Sequence, residues 1–496
     1  MNRRTVNAVL LALLAALGGC TVGPNYEKPP AAAPPSWSGL DAGATGPGVV
    51  SVPNAQAPDI TAWWTQFNDA TLTSLIERAA AANLTLAAAE SRVRQARAQR
   101  TVAASGLYPT VDAAASYSRS RNGGAVGDRF VASTGNFFRA GFDAAWEIDV
   151  FGGTRRGVEA ADAQIESAIA DRFSLMVSLE GEIASTYLDL RGAQRQLAIA
   201  RENLATQRDT LSLTQERFEA GFVSALDVAT SKAQVSTTES QVPSYEAQAR
   251  ADIYALGVLL GQEPGVLLEE LTPEAAAPKP PGTVPVGLPS TLLERRPDIK
   301  KAEADLHAAT AQVGVAVADQ YPKFTLTGSL GVQSNNGGSL GNLANRYWSI
   351  TPGVLLPIFA GGRIDANIEV AREVADQALL AYRAAVLTAL QDVETSLVKF
   401  TREQERRALL AESAAANREA VDLSLQLYSA GRTDFLNVLS AQRALYATEA
   451  ALAQSDTTIG TNLVALYKAL GGGWPRPAAP ETAAAAPAET PGSEGR

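Results

Sequence analysis

One plan occurs twice along this chain. Ala220-Gly221-Phe222 and Ala255-Leu256-Gly257-Val258-Leu259-Leu260-Gly261 are answered by Ala430-Gly431-Arg432 and Ala465-Leu466-Tyr467-Lys468-Ala469-Leu470-Gly471. The offset is 431 − 221 = 471 − 261 = 210, so no gap intervenes. Leu226/Leu436, Val228/Val438 and Glu239/Glu449 obey the same offset. Upstream, Ala89-Glu90 matches Ala302-Glu303 and Tyr108-Pro109 matches Tyr321-Pro322 at an offset of 213. Solenoid repeats have periods of about 20–50 residues, so a period this long means two copies of a whole module.

Proline placement limits what each module can contain. No proline lies between Pro109 and Pro243, or between Pro357 and Pro475. Proline breaks helices, and both gaps carry helical patterns. In the second, small or apolar residues fall at Ile364, Ile368, Ala371, Ala375, Ala378, Tyr382, Ala385, Ala389, Val393, Ser396 and Phe400. Their steps of three and four form a heptad-type seam. From Ile364 to Ala430 such a helix is about 100 Å long. The seam is rich in Ala, Ser and Thr, which suits a helix with close neighbours on more than one face. An ordinary two-stranded coiled coil is the plainer alternative. Gly221 and Gly431 end the long helices, because glycine takes the left-handed closing position without strain. A return helix follows each, and Pro243 is expected to kink or restart the first.

Before each long helix the period changes to two. Phe138, Ala140, Phe142, Ala144, Trp146, Ile148 and Val150 alternate with polar or small residues. Phe324, Leu326, Gly328, Leu330 and Val332 do the same. Val111–Tyr117 and Trp348–Ile358 are the partner segments, with exposed loops at 121–127 and 335–341. Strands of about 9–11 residues with one apolar face suit a membrane barrel with a wet lumen, and a soluble sandwich is the other option. Four strands cannot close a wide barrel, and open edges are not tolerated in lipid. Spanning therefore requires several chains to share one barrel.

The residue segments follow. Residues 1–19 read as a signal peptide: Arg3-Arg4, an apolar run too short to span, then Gly18-Gly19-Cys20. Leu17-Gly18-Gly19-Cys20 has lipobox form, making Cys20 the lipid attachment point. Several acyl chains on one residue give stable anchoring. Residues 20–60 form an anchored extended segment. The first repeat is 61–271, with strands at about 109–120 and 137–150, a long helix at about 155–220 and a return helix at about 225–260. A linker spans 272–290. The second repeat is 291–473, with strands at about 323–333 and 347–358, a long helix at about 363–430 and a return helix at about 433–470. Residues 474–496 are an Ala/Pro/Glu tail expected to be disordered.

Composition removes most enzyme chemistry. His307 and Cys20 are the single histidine and cysteine, which leaves no His/Cys metal cluster, cysteine–histidine pair or disulfide. His307 lies in a helical pattern and is expected at a helix surface. The formal net charge of −10 argues against a nucleic-acid partner. The chain reads as a non-enzyme that needs no cofactor.

Several blocks then identify a resemblance. They are Cys20-Thr21-Val22-Gly23-Pro24-Asn25-Tyr26, Trp63-Trp64 with Phe67, Leu293-Glu294-Arg295-Arg296-Pro297-Asp298-Ile299, Tyr428-Ser429-Ala430-Gly431, and Leu470-Gly471-Gly472-Gly473. In this order they resemble the TolC-like outer-membrane efflux factors, in the lipoprotein (NodT/OprM-like) branch. The resemblance implies an α+β membrane protein: a homotrimer with one twelve-stranded β-barrel and a periplasmic α-helical tunnel. It implies a passive exit duct for drugs or other small toxic compounds, fed by an inner-membrane pump through a periplasmic adaptor. Ducts for secreted proteins share that fold, and a lipid-anchored coiled coil without a pore is a further alternative. It also implies a periplasmic gate and adaptor contact at the hairpin tips, with Gly221, Asp227, Tyr428, Gly431, Arg432, Asp434 and Arg443 as its residues. The acids common just after the second tip are replaced here by Asn437 and Ser440.

Overall fold

A computed structural model describes residues 21–30, 33–41, 51–56, 60–126 and 129–474. Cys20, the signal peptide and all of the tail but Trp474 lie outside the described residues. The strands are β1 (Val52–Asn54), β2 (Thr110–Val126), β3 (Arg129–Ile148), β4 (Thr283–Pro285), β5 (Lys323–Ser334) and β6 (Arg346–Leu355). The longer helices are α1 (Ala70–Ala82), α2 (Leu84–Ser105), α3 (Gly153–Glu219), α4 (Ala225–Leu259), α5 (Pro289–Arg295), α6 (Pro297–Ala318), α7 (Arg363–Ser429) and α8 (Phe435–Ala469). The duplication is visible in these lengths, since α3 and α7 both have 67 residues and α4 and α8 both have 35.

The chain divides into two compact units that do not follow the repeats. Of the described residues, one takes those from 21 to 33, 84–175 and 297–390; the other takes those in 34–83, 176–296 and 391–474. Each unit therefore draws on both copies, because α3 and α7 run from one unit into the other.

The first unit holds the antiparallel sheet β2-β3-β5-β6. Its register separates two faces. Phe142 pairs with Ala113 and Leu330, while Phe324 pairs with Ile148 and Val354, and Trp348 with Leu330. Val111, Phe142, Leu330, Trp348, Ile350 and Val354 are all exposed in the single chain. The opposite face is polar: Arg139 donates to the Tyr347 Oη at 2.7 Å and to Asp143 at 2.9 Å. Both β2 and β3 exceed their expected lengths, and 121–126, expected as loop, continues the ladder. The same unit holds the segment after Cys20. Arg156 donates to the Val22 carbonyl at 3.1 Å and to Asn25 Oδ1 at 2.7 Å. Gly23, at φ +85°, faces Gly314 so closely that a Cβ would strike its backbone. His307 is not a plain surface residue. It stacks on Tyr26 at 4.4 Å and contacts Glu159 at 3.2 Å.

The second unit explains several sequence blocks as packing. Trp63 stacks on Tyr467 at 5.3 Å, and Tyr467 donates to Gln66 Oε1 at 2.6 Å. Arg296 donates to the Ala469 carbonyl at 3.1 Å and pairs with Asp392 at 3.0 Å, so it caps the end of α8. Trp474, assigned to the tail, is buried. The stretch 272–290 is more than a linker, since β4 pairs in parallel with β1 and its Gly287 carbonyl accepts from Trp37 Nε1. Glu180 is 1% exposed and neither carboxylate oxygen has a hydrogen-bond partner among the described residues. Burial raises its carboxyl to about 9. The α4 helix runs unbroken through Pro243, with no restart.

Candidate functional site: the helical hairpin tips

Both hairpins close with the same backbone device. Gly221 has φ +81° and Gly431 φ +70°. Gly221 N–H donates to the Phe218 carbonyl and Phe222 N–H to that of Arg217; Gly431 and Arg432 repeat this with Tyr428 and Leu427. This is a Schellman closure. Gly261 and Gly471 end the return helices the same way. The 210-residue offset is therefore a repeat of helix ends as well as of letters.

Side chains make the two tips unlike. Tyr428, Phe435, Val438 and Leu439 form a buried cluster, joined by Leu213, Val223 and Leu425. Tyr428 and Phe435 lie 5.8 Å apart. Their counterparts on the offset, Phe218 and Ala225, build no such cluster, and Phe218 is 44% exposed. Apolar side chains at the tips point outward instead: Phe222 is 75% exposed, Leu226 73% and Leu436 69%.

Arg217 links the two tips. Its Nη1 donates to the Tyr428 carbonyl at 2.6 Å and to the Ser429 carbonyl at 3.2 Å. Its guanidinium carbon lies 4.7 Å from the Tyr428 ring centroid. A cation at the C-terminus of α7 meets the Ser429 carbonyl, the remaining lone pair of the Tyr428 carbonyl that already accepts from Gly431, and the negative end of the helix dipole. Arg217 was not among the residues singled out from sequence. The usable signal was its counterpart, Leu427, where the copies exchange a charge for an apolar side chain, as they also do at Phe222/Arg432 and Ala233/Arg443.

The other expected gate residues are dispersed. Asp227 is held by a capping box: its carboxylate accepts from Ser224 N at 2.9 Å and Ser224 Oγ at 2.8 Å. Asp434 occupies the N-cap of α8 without a side-chain cap bond. Arg432 and Asp434 are exposed. Arg443 sits further along α8, where its Nε donates to Gln234 Oε1 of α4 at 2.7 Å, beside a buried Gln442–Thr210 bond of 2.9 Å. Tyr428, Gly431 and Arg217 are thus brought together, while Asp227 and Arg443 serve separate contacts. Among the described residues no His/Cys/Asp/Glu group could hold a metal ion, and no helix is long and apolar enough to cross a membrane.

Comparison with known proteins places this architecture. The family model described as "Outer membrane efflux protein" matches residues 75–262 and 288–472. Nodulation protein T of Rhizobium leguminosarum bv. trifolii is 34% identical over 460 residues, covering 92% of this chain and 95% of that protein. Outer membrane protein OprJ of Pseudomonas aeruginosa is 32% identical over 478 residues, covering 95% and 96%. The solved outer-membrane channel OprN superposes with a TM-score of 0.85 at 36% identity, covering 92% of this chain and 100% of that one. The two matched stretches overlap most of the two repeats read from the sequence, and on them the chain belongs to the outer membrane efflux protein family.

Proposed function

We propose that this chain is the outer-membrane exit duct of a tripartite efflux system. Three copies together close one twelve-stranded β-barrel and an α-helical tunnel. An inner-membrane pump supplies the energy, a periplasmic adaptor joins pump to duct, and the duct performs no catalysis. The observation that carries this is a four-stranded sheet with one apolar and one polar face, joined in one chain to two 67-residue helices. Four strands leave two open edges, which closure with further copies removes. The purified trimer reconstituted in a planar bilayer tests it. Conductance steps, together with drug or solvent hypersensitivity of a deletion strain, are expected; a trimer with no conductance would remove the duct.

For the gate, the reading is a hinge between unlike hairpins. The tips at Gly221 and Gly431 form the periplasmic end. The exposed Phe222, Leu226 and Leu436 supply apolar surface for the adaptor. The Arg217–Tyr428 contact holds the two hairpins together at rest. Asp227 acts through the shape of its helix start, and Arg443 through Gln234, with Arg432 and Asp434 presenting charge at the tip.

A further inference from the structure

Two arginines stand on the lipid-facing side of the sheet at the end away from the helices. Along β2 that face reads Val111, Ala113, Ala115, Tyr117, Arg119, Arg121, opposite Ala144, Phe142, Ala140, Phe138, Asn136 and Thr134 of β3. Tyr117 and Phe138 pack at 4.7 Å, and Tyr117 Oη donates to Asn136 Oδ1 at 3.1 Å. Arg119 and Arg121 follow on the same face, exposed, and neither forms an ion pair with a described residue. The order is apolar, aromatic, arginine.

The heights agree with a membrane boundary. From Ile148 to Phe138 the apolar face of β3 covers 148 − 138 = 10 steps. At about 3.4 Å per residue and a tilt of about 45° that is roughly 24 Å, the height of a barrel's apolar band. Tyr117 and Phe138 therefore occupy the aromatic girdle. Arg119 and Arg121 lie about 5 and 10 Å beyond it, at headgroup level. The opposite ends of the strands lead into α3 and α7, so this end faces the cell exterior.

The second hairpin also carries an aromatic and an arginine on this face, nearer the helices. On β6, Arg346 follows Trp348 on the apolar face, pairing with Val332 where Trp348 pairs with Leu330. β2 and β6 are the two edges of the sheet. Closing the barrel sets β6 of one copy beside β2 of the next. By register Arg346 pairs with Val332, Val332 with Ala140 and Ala140 with Ala115, inside the apolar band, so the arginines at headgroup level are Arg119 and Arg121 of β2.

We infer that Arg119 and Arg121 bind the phosphate groups of outer-leaflet lipid headgroups. The chemistry is the guanidinium fork, which grips phosphate oxygens bidentately, aided by the attraction of basic residues to an anionic membrane surface. The inference rests on the barrel, and a lost trimer or lost conductance would mark failure of that reading instead.

The test uses the full-length trimer in zwitterionic detergent, titrated with diphosphorylated lipid A, with bound lipids counted by native mass spectrometry. Lipid A is expected to bind, more weakly as salt rises, and dephosphorylated lipid A or phosphatidylcholine to bind poorly. Arg119→Gln/Arg121→Gln should lose about 30-fold in affinity, with trimer and conductance intact. Arg119→Lys/Arg121→Lys keeps the charge and should retain most of the binding. If the Gln variant does not assemble, the salt and phosphate dependence of the native trimer decides. Unchanged affinity in the Gln variant, equal binding of the phosphate-free lipid, or complete displacement by millimolar inorganic phosphate would overturn the inference.

Discussion

The guanidinium of Arg217, at the end of α3, lies 4.7 Å from the ring centroid of Tyr428, at the end of α7, and donates to the Tyr428 carbonyl at 2.6 Å. The Tyr428 hydroxyl has no partner among the described residues. The ring and the carbonyl therefore make the contact. Arg217→Ala and Tyr428→Ala should both raise the resting conductance of the reconstituted trimer, whereas Tyr428→Phe should leave it near that of the parent. Arg217→Lys keeps charge but not the fork, and should fall between. Single-channel recordings measure all four. An open-prone Tyr428→Phe would move the contact to the hydroxyl.

The two helix starts differ in the same experiment. Asp227 completes a capping box with Ser224, and Asp434 has no side-chain cap bond. Ser224→Ala should cost about 1 kcal/mol and fray the first turn of α4. Asp434→Ala should cost clearly less. Amide hydrogen exchange at residues 225–229 and 435–439 reads this difference directly.

At the tips, Gly221→Ala and Gly431→Ala both force a side chain into the left-handed region, at about 1–2 kcal/mol each. No heavy atom lies within 4 Å of a Cβ at Gly221, and at Gly431 the nearest is Arg217 Nη2 at an ordinary 3.7 Å. The two variants should therefore lower the melting temperature by similar amounts. A much larger loss at one tip would point to packing instead of backbone conformation.

Glu180 ties stability to pH. Burial raises its folded carboxyl from the ordinary 4.5 to about 9, so the folded state holds a proton that the unfolded state releases. Its contribution is most favourable below pH 4.5 and declines as pH rises toward 9. Glu180→Gln removes that slope: the variant should match the parent near pH 5 and melt progressively higher than it between pH 6 and 9. Thermal melts across this range decide, and parallel curves would mean that Glu180 is ionised in the folded protein.

Phe222→Ser/Leu226→Ser should weaken adaptor binding without altering the conductance of the isolated trimer, because both side chains are exposed at the tip. Surface plasmon resonance with the adaptor and bilayer recordings separate the two effects.

Much of the fold was legible in the chain because its signals are local. Helix starts at Ala225 and Phe435 follow from the residues beside Gly221 and Gly431, and the strand faces follow from strict alternation. Strand ends were less legible, since 121–126 carries Gly and Asn yet pairs by extending its neighbour's ladder. The blocks Trp63-Trp64, Arg296 and Gly471-Gly472-Gly473 were visible as letters, but their work is mutual packing.

Sequence by itself determined the duplication, the long helices, the two-faced strands and the poverty of reactive side chains, because each depends on neighbours or on composition. Only the tertiary structure decided which residues meet across the repeats. Arg217 and Tyr428 are 211 positions apart. Nothing local marks an arginine that will cap the helix of the other copy, since such a partnership exists only once both hairpins are side by side.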